Sequence, residues 1–222
     1  MIRKLFKLLP FDLRTKKHLK FAYFKTAALL GIEQFPALNE LDRKLLRYLP
    51  KRGGTFIEVG ANDGVSQSNT WFLENYRGWS GLLIEPMPDL AAMAKKFRRA
   101  PVANVALGPT EMEGKTIELV PSDLVTRVAS DSGNDARRIS VPVRALSSLL
   151  DEHRLGAVDL FSLDVEGYEV EVLRGLDFSR HAPRFILVET AKPDEVAALL
   201  GGKYELREKF SYHDYLFALR DI

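Results

Sequence analysis

Cysteine is absent from this chain. Its absence excludes disulfides, thiolate metal sites and cysteine nucleophiles, and fits a reducing cytoplasm. No apolar run approaches the ~20 residues of a membrane span. The opening MIRKLFKLLPFDLRTKK does not read as a secretory signal either, because Lys7, Pro10 and Asp12 break its apolar stretch and no small-residue cleavage site follows. Several catalytic motifs are missing too. There is no G-x-S-x-G hydrolase elbow and no H-E-x-x-H. GPTEMEGKT places five residues between Gly108 and Gly114, where a phosphate loop has four, and the following TIELV reads as a strand where a helix is required.

A large net charge is also lacking, since 32 Lys+Arg against 30 Asp+Glu leave +2. The charge is unevenly spread. Residues 1–30 hold eight Lys/Arg against Asp12 alone, a net of +7, so the remainder is −5. A basic arm on a mildly acidic body points to an anionic surface as partner. Three readings of residues 1–30 stand side by side: a charged helical cap or subunit contact, peripheral contact with an anionic membrane, and nucleic-acid binding. Leu5, Phe6, Leu8, Leu9 and Phe11 favour the membrane over nucleic acid, although Pro10 interrupts their helix. No nucleic-acid partner is expected, because the acids at the strand ends described below repel phosphates. The expected location is cytoplasmic, or peripheral to the inner face of a membrane.

What is present is an ample apolar fraction, 46% of 222 residues. Residues 1–49 read as a basic helical extension: LFKLL, then KKHLKFAYFKTAALLG stopped by Gly31, then LNELDRKLLRYL capped by Asn39 and ended by Pro50. Residues 50–222 read as one domain of alternating strands and helices. TFIEV, SGLLIE, VANVAL, VDLFSLDV and RFILVE are the strands, and NTWFLENY, PMPDLAAMAKKFRR, ALSSLLDEH, EGYEVEVLRGL and KPDEVAALLG are the helices. KTIELVP and RISVPVR form a less buried strand pair. Residues 121–140 are polar and turn-rich, and read as a mobile loop or substrate lid. The chain closes with YELREKF and DYLFALR, which have no helix between them, so the last strand runs antiparallel to a mostly parallel sheet.

The stretch GTFIEVGANDG places Gly60 and Gly64 just past the first strand, where open parallel sheets bind ligands. Glycine there lets backbone amides approach a ligand, and the next helix would offer free N–H groups; the plainer alternative is a tight turn only. Glu85 ends the second strand, where an acid can accept both hydroxyls of a ribose. Glu58, Asp63, Glu85 and Asp164 make an acidic mouth, which disfavours a phosphate and suits a sulfonium-bearing nucleoside. A dinucleotide fold would want Gly-x-Gly-x-x-Gly, and position 62 is Asn.

FIEVGANDGVSQSNTWFLE, GLLIEPMPDL, LFSLDVEGYEVEVLRGLDF and RFILVE together resemble the FkbM family of S-adenosylmethionine-dependent methyltransferases, over roughly residues 52–219. The resemblance implies a Rossmann-like class I methyltransferase fold: a mostly parallel seven-stranded sheet with a terminal antiparallel strand. It also implies methyl transfer from S-adenosyl-L-methionine to a hydroxyl of a sugar, glycan or other small-molecule acceptor. By the same resemblance, Glu58, Gly60, Asn62 and Gly64 cradle the methionine part, and Ser68 and Asn69 shape that pocket. Glu85 holds the ribose, Asn104, Val105 and Ala106 lie beside the adenine, and Asp164 closes the site near the sulfonium.

A sugar hydroxyl is a poor nucleophile while protonated, so a base or a metal helps. The candidates are Asp164, Glu166, Glu189 and His213. Glu166 has an ordinary alternative, since an acid in a first helical turn favours the helix dipole. His213 sits in the turn FSYHDY, where a histidine is commonly exposed or locally bonded. His153 and His181 read as peripheral, and Trp71, Phe72 and Tyr76 as core. A divalent metal held by Asp164, Glu166 and Glu189 stays open, without an aspartate-rich loop to support it. The rivals to the methyltransferase are an NAD-type oxidoreductase and a membrane-associated cofactor-binding module without turnover.

Overall fold

The computed structural model describes residues 13–49, 52–120, 127–128 and 138–220. Strands β1 (Thr55–Val59), β2 (Ser80–Ile84), β3 (Val102–Ala103), β8 (Leu160–Leu163), β9 (Phe185–Glu189), β10 (Tyr204–Lys209) and β11 (Asp214–Leu219) form one seven-stranded sheet in the order 10-11-9-8-1-2-3. β11 alone runs against its neighbours, β9 and β10. From β1 the chain builds outward through β2 to β3, then returns to the other side of β1 with β8. Strand order therefore reverses at the carboxyl ends of β1 and β8, where a crevice opens.

Both sheet faces are covered, so the strands read as nearly continuous apolar runs. Ile57, Val59, Ile84, Phe161 and Ile186 pack with Leu146, Leu149, Leu173 and Val196 of helices α5 (Leu146–Glu152), α6 (Glu169–Arg174) and α7 (Pro193–Leu200). Phe56, Leu83, Leu160 and Leu187 face the other way, against Leu41 and Leu45 of α2 (Leu41–Leu45) and Phe72 and Leu73 of α3 (Trp71–Arg77). Helix α4 (Pro88–Phe97) follows β2, with Pro88 in its first turn, where a missing N–H costs nothing.

A second, four-stranded sheet has the order β4-β7-β5-β6: β4 (Ala106–Leu107), β5 (Thr116–Val120), β6 (Arg127–Val128) and β7 (Ile139–Arg144). VANVAL is thus not one strand. Val102–Ala103 pairs with β2, and Ala106–Leu107 crosses to pair with β7, the chain turning between them at Asn104 and Val105. The expected strand pair is present as β5 and β7, antiparallel from Thr116↔Pro142 to Leu119↔Ile139. Within the expected loop 121–140, Arg127–Val128 pairs with Leu119 and Val120, and Ile139–Ser140 belongs to β7. Residues 121–126 and 129–137 of that loop, and LFKLL, lie outside the described residues.

Helix α1 (Leu13–Leu29) stops as the sequence suggests. Gly31 adopts φ +70°, and the amides of Gly31 and Ile32 bond back to Ala28 and Ala27 (3.1 and 2.8 Å), a glycine C-cap. Asn39 is not a side-chain cap; it sits at φ 49° in a short 3-10 turn, Leu38–Glu40. The buried Asp42 does that work by accepting the Ala37 and Arg43 amides (3.1 and 2.9 Å). Phe21 and Phe24 of α1 bury against Val65 and Trp71, and Phe21 stacks on Phe97 at 4.1 Å. Phe21→Ala is expected to cost about 3 kcal/mol of unfolding free energy, read from urea denaturation.

Candidate active site

A cavity of about 630 Å³ opens where the strand order reverses. Its walls come from the ends of β1, β2 and β8, the loop after β1, and β4 and β5 of the second sheet. Of the expected site residues, Glu58, Gly60, Asn62, Ser68, Asn69, Glu85, Val105, Ala106, Asp164 and Glu166 line it. Gly64, Asn104, Glu189 and His213 are not on that wall.

Gly60 is required twice over. Its φ is +80°, and a Cβ would lie 1.8 Å from the Asp164 carbonyl oxygen, so the turn passes hard against the end of β8. Gly64 faces away from the cavity; a Cβ there would meet Arg98 Cγ at 2.9 Å and Ala94 Cα at 3.0 Å. It permits α4 to pack. Asn104 likewise supports rather than lines, its side-chain amide donating to the carbonyls of Glu85 and Pro86 (both 2.9 Å).

Glu58 has a different partner from the one expected. Strand alternation puts it on the face of Phe56, toward α3. There its Oε2 accepts Ser68 Oγ (2.9 Å), Thr70 Oγ1 (2.5 Å) and Arg98 Nη1 (3.2 Å), and its Oε1 accepts the Asn69 amide (2.7 Å). Asp63 is also inward, capping its own loop through the Val65 and Ser66 amides (3.1 and 2.6 Å). The acids of the cavity wall that no cation in the network offsets are therefore Glu85, Asp164 and Glu166. The expected free helix amides are absent as well: α3 starts only at Trp71, and the Thr70 and Trp71 amides donate to Ser68 Oγ (3.3 and 3.0 Å).

Glu85 accepts the Asn62 amide on Oε2 (2.8 Å) and the Met87 amide on Oε1 (2.9 Å). Each oxygen keeps a lone pair for a further donor. Burial holds its pKa above the usual carboxylate value despite those two amides. The Asn69 side-chain amide donates to Ser162 Oγ (3.0 Å), which fixes its orientation and leaves its buried Oδ1 without a partner. Asn62, Gln67 and Glu166 all hold left-handed backbone (φ 51°, 65° and 55°) on this wall. Such strain concentrates at ligand sites.

Asp164 is pushed well above the usual carboxylate range, first by burial and then by Glu189, Glu166 and Asp214. Glu189 is raised too, mainly by burial, with His213 and Asp164 as neighbours that partly offset the rise. Burial and the surrounding carboxylates both favour the protonated form at Asp164. His213 Nε2 lies 3.4 Å from Glu189 Oε1 and 3.6 Å from Asp214 Oδ2. A file of titratable groups thus runs from Asp164 on the cavity wall through Glu189 to His213. Among the described residues, the donor atoms that converge as for a metal are those of Glu189, His213 and Asp214, within 4.8 Å of one another, rather than the expected Asp164, Glu166 and Glu189 set.

Sequence reasoning missed Arg98, whose KKFRRAP context resembles any exposed basic helix end. It also missed Gln67, Ser162 and the apolar wall of Ile117 and Leu119. The alternation in TIELV does place Ile117 and Leu119 on one face, but nothing local aims that face at the cavity.

The sheet order, the single antiparallel strand and the crevice at the reversal define a Rossmann-like class I methyltransferase fold. The model of the methyltransferase FkbM domain matches residues 58–217, and the chain belongs to that family. Among solved structures it is similar to a methyltransferase FkbM from Methylobacillus flagellatus KT, at 16% identity and a TM-score of 0.49, over 75% of this chain and 43% of that one. The chain thus matches less than half of that relative's length. A methyltransferase from Geobacter sulfurreducens is 13% identical with a TM-score of 0.46, over 98% of this chain and 95% of that one. One from Pyrococcus furiosus is 12% identical with a TM-score of 0.45, over 94% and 98%. Comparison with curated proteins found no match.

Because folding raises the Asp164 and Glu189 pKa values, the native state keeps a proton that the unfolded chain has released. Stability therefore falls as pH climbs from the ordinary carboxylate range through the raised values. Asp164→Asn, which mimics the protonated form, is expected to gain more Tm over wild type at about pH 8 than at about pH 5, read by thermal melts across pH.

Proposed function

We propose that this chain is an S-adenosylmethionine-dependent O-methyltransferase acting on a hydroxyl of a sugar, glycan or glycolipid. The observation that carries the reading is one cavity wall that joins the Gly60 turn, Glu85 and the end of the Asp164–Glu189–His213 file. The residues fit the nucleoside donor. The volume of about 630 Å³ is that of a small-molecule site. The orphaned Asn69 Oδ1 suits an ammonium, the spare lone pairs of Glu85 suit ribose hydroxyls, and Val105, Ala106, Ile117 and Leu119 offer apolar surface to a base. When bound, the donor supplies an electrophilic methyl group on a sulfonium.

The protein's own contribution is position and proton transfer. Holding the acceptor oxygen in line with the methyl–sulfur bond removes much of the entropic barrier. Asp164, with its raised proton affinity, is a stronger base than an ordinary aspartate once deprotonated. The hydroxyl proton passes to Asp164, then along Glu189 to His213, which is partly exposed and can release it to water. Acids without a nearby cation also favour a neutral or cationic acceptor over a phosphorylated one.

The test is methyl transfer from labelled S-adenosylmethionine to a panel of hydroxyl-bearing glycans. Turnover of at least one is expected, with a rate that rises with pH above the ordinary carboxylate range. Asp164→Asn is expected to lower kcat about 100-fold, to flatten that rise, and to leave S-adenosylhomocysteine affinity nearly unchanged. EDTA is expected to leave the rate unaltered; a loss restored by Mg²⁺ would give the base's role to an ion at Glu189, His213 and Asp214. Binding without transfer to any acceptor would assign a module without turnover.

A further inference from the structure

Helix α1 has two unlike faces. Phe21, Phe24 and Ala27 are buried against the domain. Leu19, Ala22, Thr26 and Leu29, spaced i, i+3, i+7 and i+10, lie on the opposite, exposed face. Leu30 and Ile32 extend it past the C-cap. Leu29 is 80%, Leu30 67% and Ile32 52% exposed, an unusual run of large apolar side chains left in water. The same segment, residues 13–32, holds five Lys/Arg and no acid.

We propose that this outward face of α1, with Leu30 and Ile32, docks in plane on an anionic lipid surface. An interfacial helix needs an apolar stripe to enter the headgroup–acyl boundary and cations to meet anionic headgroups. α1 supplies both. No helix among the described residues is long and apolar enough to cross a membrane, so contact is with the surface. A second copy of the chain is a poorer occupant, because a two-fold contact would set this uniformly basic segment against itself. Nucleic acid does not explain the exposed leucines.

Helix α1 and the segment that follows it are also tied to the cavity loop. Lys20 Nζ donates to Ser66 Oγ at 2.7 Å, and Ala37 bridges Gln67; both Ser66 and Gln67 line the cavity. A docked α1 thus sits beside the cavity wall, a position suited to an acceptor carried at the membrane. The docking itself does not depend on the methyltransferase reading.

The experiment is co-sedimentation of the full chain with phosphatidylcholine vesicles, with and without about one-third phosphatidylserine. Binding is expected only with phosphatidylserine, and to fall with added salt. The double variant Leu29→Asp/Leu30→Asp changes only exposed side chains. It is expected to bind at least about 10-fold more weakly, with unchanged thermal melting and S-adenosylhomocysteine affinity. No sedimentation of the wild type, or equal sedimentation of the variant, overturns the proposal. A wild type that is dimeric by light scattering and ignores vesicles, beside a monomeric variant, gives the face to a second copy instead.

Discussion

The Arg98 guanidinium, fully buried between two glutamates, holds the site's scaffold together. Its Nε donates to Glu74 of α3 (2.8 Å), and its Nη1 to Glu58 of β1 (3.2 Å), the Gly64 carbonyl (2.9 Å) and Ser68 Oγ (3.1 Å). Its Nη2 donates to Thr70 Oγ1 (2.8 Å). One side chain at the end of α4 therefore joins the first strand, the long loop after it and the next helix. Surface pairs such as Arg180–Asp151, each about half exposed, are screened by solvent and add little. Breaking a buried pair strands a charge and costs about 3–5 kcal/mol. The buried cluster is the one that fixes geometry.

That clamp decides what the cavity presents. The loop after β1 spends much of its polar capacity inward, on Glu58, Asp63 and Ser68. Beside Asn62, Gln67 and Tyr168, the wall keeps Glu85, Asn69 Oδ1, Asp164 and Glu166 to aim at a ligand. A rigid wall with a small number of aimed groups is what orienting a nucleoside and an acceptor hydroxyl requires. The raised proton affinity of Asp164 follows from the same economy, because it is buried among carboxylates with only His213 at the far end of its file.

Much of the fold was legible because its signals are local. Apolar runs bounded by glycine and proline marked the strands, the alternation of strands and helices marked the parallel sheet, and the helix-free join before DYLFALR marked the antiparallel strand. The cavity wall was legible where strand ends alone fix position, as at Gly60, Glu85 and Asp164. It was misread where partners come from far along the chain. Glu58 seemed free because its cation, Arg98, lies 40 residues away. VANVAL reads as a single strand because only tertiary pairing sends its halves to different sheets. Ile117 and Leu119 reach the cavity through a second sheet that no local pattern announces.

The cavity at the β1/β8 reversal is proposed to receive an adenosyl ligand. Calorimetric titration with S-adenosylmethionine, S-adenosylhomocysteine and NAD tests it most directly, with Glu85→Ala beside the wild type. Both adenosyl ligands are expected to bind, Glu85→Ala to weaken that binding, and NAD to give no heat. A folded wild type that binds neither adenosyl ligand, or binds NAD in their place, would contradict it.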